Sequence, residues 1–166
     1  MPTNFNFTPW VAWVDRNKQP ESDKPGVYLI GRFKEQPPAG PANPLDKRVI
    51  YIGESAAGRQ KGRWRSFART AFKNTGKHGG GKKFKELFGD DSSMVYVSFI
   101  TDEDLIREMW KKRANSTLGL DKSQWKATVT NDIFIEIAEL VIKYEERRLI
   151  LQYALLHGHR PLCNAD

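Results

Sequence analysis

Gly26-Val27-Tyr28-Leu29-Ile30 and Arg48-Val49-Ile50-Tyr51-Ile52-Gly53 decide how this chain folds. Both runs are rich in β-branched and aromatic residues and read as strands, over 26–33 and 48–53. The stretch between them, 34–47, holds four prolines and reads as a loop. The two strands are therefore expected to pair antiparallel across it, each bringing one tyrosine. Met-Val-Tyr-Val-Ser-Phe-Ile at 94–100 reads as a third strand.

Helical spacing appears on either side of that third strand. Trp64, Phe67, Ala68, Ala71 and Phe72 form one apolar stripe within 59–73, and Arg59, Lys61, Arg63, Arg65, Arg69 and Lys73 fill the rest of that helix. Residues 74–83, Asn-Thr-Gly-Lys-His-Gly-Gly-Gly-Lys-Lys, carry too many glycines for a regular element and read as a basic loop, with a short helix following at 84–88. Thr101 is placed to cap a helix opening on Asp102, Glu103 and Asp104 and ending near Arg113. Residues 125–129 read either as a strand or as irregular chain. A long helix starts at Ile133 or Ile135 and runs to His157, with Ile137, Leu140, Val141, Tyr144, Leu151 and Leu155 as its expected core face. Gly158 stops it. At the other end, Phe5, Phe7, Trp10, Val11, Trp13 and Val14 make an aromatic segment, and Thr8-Pro9 reads as a helix start.

The expected fold is α/β of the α+β type: a small, mainly antiparallel sheet of three strands flanked by helices, in a single domain over 1–166. It has an aromatic extension over 1–25 and insertions near 34–47 and 103–130. The 166 residues suit one sizeable core, and a hydrophobic fraction of 39% with 28% charged residues is ordinary for a globular protein. A formal net charge of +7 favours polyanionic partners, chiefly nucleic acid. Cys163 is the only cysteine, which excludes an intrachain disulfide and a cysteine-built metal site. Residues 1–5 show neither the basic nor the apolar region of a secretion signal, and no apolar run reaches the ~20 residues of a membrane helix. The expectation is a cytoplasmic protein with no membrane segment.

Gly26-Val27-Tyr28, Tyr51-Ile52-Gly53, an arginine helix, a glutamate on a long helix and Pro161-Leu162-Cys163-Asn164, in that order, resemble the GIY-YIG nuclease family. The second triplet is identical to the motif, and the first differs by Val for Ile. The loop at 34–47 is longer than usual between the two tyrosines. The resemblance spans residues 26–164. It implies a GIY-YIG-like fold and a metal-dependent endonuclease that hydrolyses DNA phosphodiester bonds, leaving 5′-phosphate and 3′-hydroxyl ends. Two alternatives stand beside it: a catalytically inactive nucleic-acid-binding module with the same fold, and an RNA- or structure-specific nuclease.

The resemblance implies that Tyr28 and Tyr51 face the scissile phosphate. A phenol titrates near ~10, so a base role for Tyr28 needs nearby cations. Arg63 borders the apolar stripe beside Phe67, which suits an arginine that stabilises charge on the phosphate. Many family members place a histidine one turn after that arginine, where this chain has Phe67; His78 then stands as a substitute and a second candidate for the general base. Glu145 and Glu146 compete for the metal. Glu146 has Ile142, Leu149, Ile150 and Tyr153 at helical neighbour positions, an environment that favours a cation-bound carboxylate, whereas Glu145 beside Arg148 suggests a surface ion pair. Pairing of Glu146 with Lys143 is the structural alternative. Glu146 would hold Mg²⁺ or Mn²⁺ with waters completing the shell. Asn164 matches the family's terminal asparagine, which helps hold the site together. Arg59, Arg65, Arg69, Lys73, Lys77, Lys82 and Lys83 are expected to contact phosphates, most of all in double-stranded DNA. One active site per chain makes a homodimer a natural way to cut both strands.

Overall fold

A computed structural model describes residues 6–106 and 131–164. It holds β1 (Val11–Ala12), a 3₁₀ turn (Trp13–Lys18), β2 (Gly26–Arg32), β3 (Val49–Ser55), α1 (Gln60–Ala71), α2 (Gly79–Phe88), β4 (Val95–Thr101), α3 (Asn131–His157) and a last 3₁₀ turn (Leu162–Asn164). The protein is α+β, with a four-stranded sheet in the order β1-β4-β2-β3 and every neighbouring pair antiparallel.

Three of those strands follow the expectation, including the pairing of β2 with β3. The fourth does not. Where Thr8-Pro9 suggested a helix, the chain instead runs along β4, and Val11 and Ala12 pair with Val97 and Tyr96. The Thr8 amide donates to the Phe99 carbonyl at 2.9 Å, and Thr8 Oγ1 accepts from the Phe99 amide at 3.1 Å. An open β4 edge offers more backbone partners than one turn of helix, and Thr8 uses them.

Helices cover both faces, so the central strands read as unbroken apolar runs. On one face Tyr28, Ile30 and Tyr51 pack against Trp64 and Phe67 of α1 and Phe84 of α2. On the other, Val27, Leu29 and Ile52 pack against Ile142, Leu149 and Tyr153 of α3. Phe7 joins the second layer and Trp13 the first, so the aromatic extension wraps the β4 edge of the sheet.

Two expectations fail here. Residues 79–83 are not loop but the opening turns of α2. A Cβ on Gly80 would sit 2.6 Å from the Tyr51 ring, and one on Gly81 would sit 2.9 Å from the Phe67 carbonyl oxygen. Glycine is there because α2 packs so closely on β3 and α1. The core face of α3 also differs: Leu140, Tyr144, Leu151 and Leu155 are exposed, and Ala138, Ile142, Glu145, Leu149 and Tyr153 are buried. That helix is apolar nearly all round, so periodicity alone does not choose a side.

Thr101 does cap the next helix, its hydroxyl accepting from the Asp104 amide at 3.3 Å. The expected helix end near Arg113 and the segment 125–129 lie outside the described residues. α3 stops at Gly158, whose φ is +77°. No helix among the described residues is long and apolar enough to cross a membrane.

Candidate functional site

Strand register brings the two tyrosines together. Tyr28 lies opposite Gly53 and Tyr51 opposite Ile30, so alternation puts Tyr28, Tyr51 and Gly53 on the α1–α2 face. The ring centroids are 6.0 Å apart. A Cβ on Gly53 would stand 2.5 Å from Tyr51 and 2.6 Å from Tyr28, so this glycine makes the room in which the rings lean together. Tyr28 is fully buried, and among the described residues its hydroxyl makes no well-aligned hydrogen bond, although Tyr51 and Arg63 stand near it. Burial drives its pKa well above that of a free phenol and the Tyr51 hydroxyl adds to this, while Arg63 opposes it. Tyr51 is also raised, chiefly by burial and then by Glu146.

β3 is the edge strand, and a cleft of about 930 Å³ runs along its free side. Tyr51 and Glu54 come from β3, Arg63 from α1, His78, Gly79, Gly80, Lys82 and Lys83 from α2 and its cap, Glu146 and Arg147 from α3, Arg160 from the segment after α3, and Cys163 and Asn164 from the last turn. Tyr28 is not part of its wall; it backs Tyr51. Arg63 is the electrostatic centre. Its charge acts on Tyr28, Tyr51, His78 and Glu146, and among the described residues it has no carboxylate ion-pair partner.

His78 caps α2. Its Nδ1 accepts from the Gly81 amide at 3.2 Å, and its own amide donates to Thr70 Oγ1 at 3.0 Å. The ring meets Tyr51 and Phe67 edge-on, each at 5.5 Å. Phe67, one turn after Arg63, thus props the imidazole at the site. With Nδ1 occupied as an acceptor, the ring proton sits on Nε2, which leaves no lone pair there for a general base. Burial, then the charge of Arg63, pull the His78 pKa down to about 4.

A stability test follows from that shift. The folded value lies below the unfolded 6.5, so the neutral ring's contribution is complete above the unfolded pKa and drains away as pH falls toward the folded one. We expect wild type to lose about 2 kcal/mol relative to His78→Asn between pH 7 and pH 4, read by urea unfolding of both proteins at each pH. Parallel curves would refute it.

The two glutamates of α3 part ways. Glu145 is buried and bonds the Arg148 guanidinium at 2.7 Å, so the expected ion pair exists but is buried, because this turn faces the sheet. Glu146 faces the cleft, and among the described residues its ion-pair partner is Arg147, at 3.6 Å; Lys143 pairs with Glu139 instead. Burial raises the Glu146 pKa, and Glu54 raises it further. Glu54 was not foreseen. It follows Tyr-Ile-Gly directly, and alternation sends it to the α3 side of the edge strand, toward Glu146. The signal was that edge position, legible only once β3 is known to be terminal.

Asn164 completes the β3 edge. Its Oδ1 accepts from the Ile52 amide and its Nδ2 donates to the Ile52 carbonyl, both at 2.7 Å. The side chain thus acts as one more rung of the ladder, clamping the residue between Tyr51 and Gly53. Asn164→Ala should cost about 1–2 kcal/mol globally, yet speed hydrogen exchange of the Ile52 amide by tenfold or more. An unchanged exchange rate would show that the clamp does not hold in solution.

The basic residues separate cleanly. Lys77, Lys82 and Lys83 line the cleft; Arg59, Arg65, Arg69 and Lys73 do not. Arg59 faces Asp23 at 3.5 Å, and Arg69 reaches the Thr75 carbonyl. Comparison with protein-family models, curated proteins and solved structures returned no match.

Proposed function

We propose that this protein is a metal-dependent endonuclease of GIY-YIG type that hydrolyses phosphodiester bonds in double-stranded DNA. The reading rests on one observation above all: Tyr51, Arg63, Glu146 and Asn164, far apart in sequence, meet along one cleft at the β3 edge. The cleft is strongly basic on the α2 side and carries Glu54 and Glu146 on the other.

The donor set suits a hard divalent cation. Glu54 and Glu146 stand close enough to raise the pKa of Glu146, and a cation relieves that repulsion in a half-desolvated place. Among the described residues there is no group of three or more acidic, histidine or cysteine ligands, so water and phosphate oxygens would complete the shell, as is usual for Mg²⁺ or Mn²⁺. When bound, the ion supplies positive charge to the phosphate and its leaving oxygen.

The chain's own groups do the rest. The Arg63 guanidinium stabilises the charge that grows on the non-bridging oxygens. The Tyr51 hydroxyl, backed by Tyr28 and held by Gly53, orients the phosphate and the attacking water. Water forms the new P–O bond as the P–O3′ bond breaks, and the leaving 3′-oxygen takes its proton from solvent in the open cleft. Tyr28 lies behind the wall, His78 spends its lone pair on Gly81, and Tyr51, its pKa raised, stays a neutral phenol, so the acceptor of the water proton is Glu54, which faces the cleft.

The sealed position of the Tyr28 hydroxyl favours the second reading, a binding module without catalysis; an RNA- or structure-specific nuclease would use the same groups. Nicking of supercoiled plasmid separates them. Cleavage with Mg²⁺ but not EDTA, slowed about 10²–10³-fold by Arg63→Ala, is the expected result. Salt-sensitive binding without cleavage, on duplex, branched DNA and RNA alike, would establish the silent module instead.

A further inference from the structure

We propose that the N-terminus of α2, capped by His78, is a phosphate-binding pocket that grips a phosphate of the bound strand next to the scissile one; its place in the reaction rests on the nuclease reading above. α2 is 10 residues long. The amides of Gly79 and Gly80 in its first turn have no intrahelical acceptor by position, and both residues line the cleft. The third amide, Gly81, is already satisfied by His78 Nδ1.

That bond fixes what His78 offers. The remaining ring proton is on Nε2, and Nε2 is buried without a hydrogen-bond partner among the described residues. The residue is only 9% exposed and forms part of the cleft wall. A buried donor left unpaired costs about 1–3 kcal/mol, so an acceptor brought to it is bound the more tightly. Three N–H donors beside the positive end of a helix suit an oxyanion. Lys83 pairs with Glu86 at 3.3 Å, so the charge supplementing these donors comes from Lys77 and Lys82.

Access differs between the two glycines. A Cβ on Gly79 would meet nothing within 4 Å, whereas one on Gly80 would strike the Tyr51 ring. The pocket is open at Gly79 and floored by Tyr51, which places it directly beside the proposed reaction centre. His78 is then a positioning residue, a neutral donor rather than an acid or base.

The test is an amide-and-imidazole NMR titration of the full chain with inorganic phosphate in EDTA, with acetate at matched ionic strength as control. Saturable shifts at Gly79, Gly80 and the His78 Nε2–H, absent with acetate, are expected. His78→Asn keeps an oxygen where Nδ1 caps Gly81 but removes the Nε2 donor, and should weaken phosphate binding about tenfold. Gly79→Asp adds a carboxylate in open space at a helix start, which favours folding, and should abolish binding. Unsaturable shifts spread over the lysines, equal shifts with acetate, or full affinity in Gly79→Asp would overturn the pocket. Plasmid nicking on the same preparation keeps the two ideas apart: phosphate binding without nicking sinks the nuclease and leaves the pocket, and nicking without those shifts does the reverse.

Discussion

Glu146→Gln is expected to abolish metal-dependent cleavage, by about 10³-fold or more, while the protein becomes slightly more stable. The activity loss corresponds to ~4 kcal/mol of transition-state stabilisation, a reasonable share for the charge that anchors a divalent cation. The stability gain has a separate origin. Burial and Glu54 raise the Glu146 pKa above its unfolded value. A carboxylate with a raised folded pKa weakens the fold at neutral pH, and stability returns as pH falls through that value. The isosteric amide removes this penalty at every pH. Nicking rates and melting temperatures on wild type and variant decide the matter, with Mn²⁺ binding followed by water-proton relaxation. A Glu146→Gln protein that cuts normally moves the metal to Glu54. One that melts well below wild type shows a structural carboxylate.

The second large effect concerns folding alone. A Cβ at Gly26 would lie 2.0 Å from the backbone oxygen of Ile100, on the neighbouring strand β4. No side-chain rotation relieves a clash with backbone, so the two inner strands β2 and β4 would have to separate at the end of their ladder, where Gly26 faces Thr101. Gly26→Ala should therefore cost about 4 kcal/mol or more, at the extreme of single substitutions. Gly62→Ala is the matched control. It lies within α1, a Cβ there meets nothing within 4 Å, and the change should stabilise by roughly 0.5–1 kcal/mol. Denaturant unfolding of the pair should move their midpoints in opposite directions, and equal shifts would refute the close-approach argument.

The contrast between these glycines explains what could be read from the chain and what could not. β2, β3 and β4 announced themselves because a strand buried on both faces is apolar without interruption. Arg63 and Glu146 were legible because each is a charge at the margin of an apolar face, and such a charge needs a partner. Gly80 and Gly81 carried no such mark. They read as a breaker, since their purpose is to admit Tyr51 and α1, residues distant in sequence. The buried side of α3 was misread for the opposite reason: with leucines all round, nothing in the spacing distinguishes Ile142 and Leu149 from Leu140 and Leu151. β1 escaped because two residues are too few for a pattern. Glu54 escaped because its significance lies in which strand ends the sheet.

The clamp of Asn164 on Ile52 bears on how this protein behaves in a concentrated solution. An outermost strand with unmet amides and carbonyls is a template onto which another chain can add. Here a single side chain occupies both the donor and the acceptor of Ile52, in the middle of β3. Proteolytic loss of the turn that carries it would uncover that template beside the exposed Leu151. The clipped form should then self-associate strand to strand, so an intact final turn doubles as a guard against aggregation.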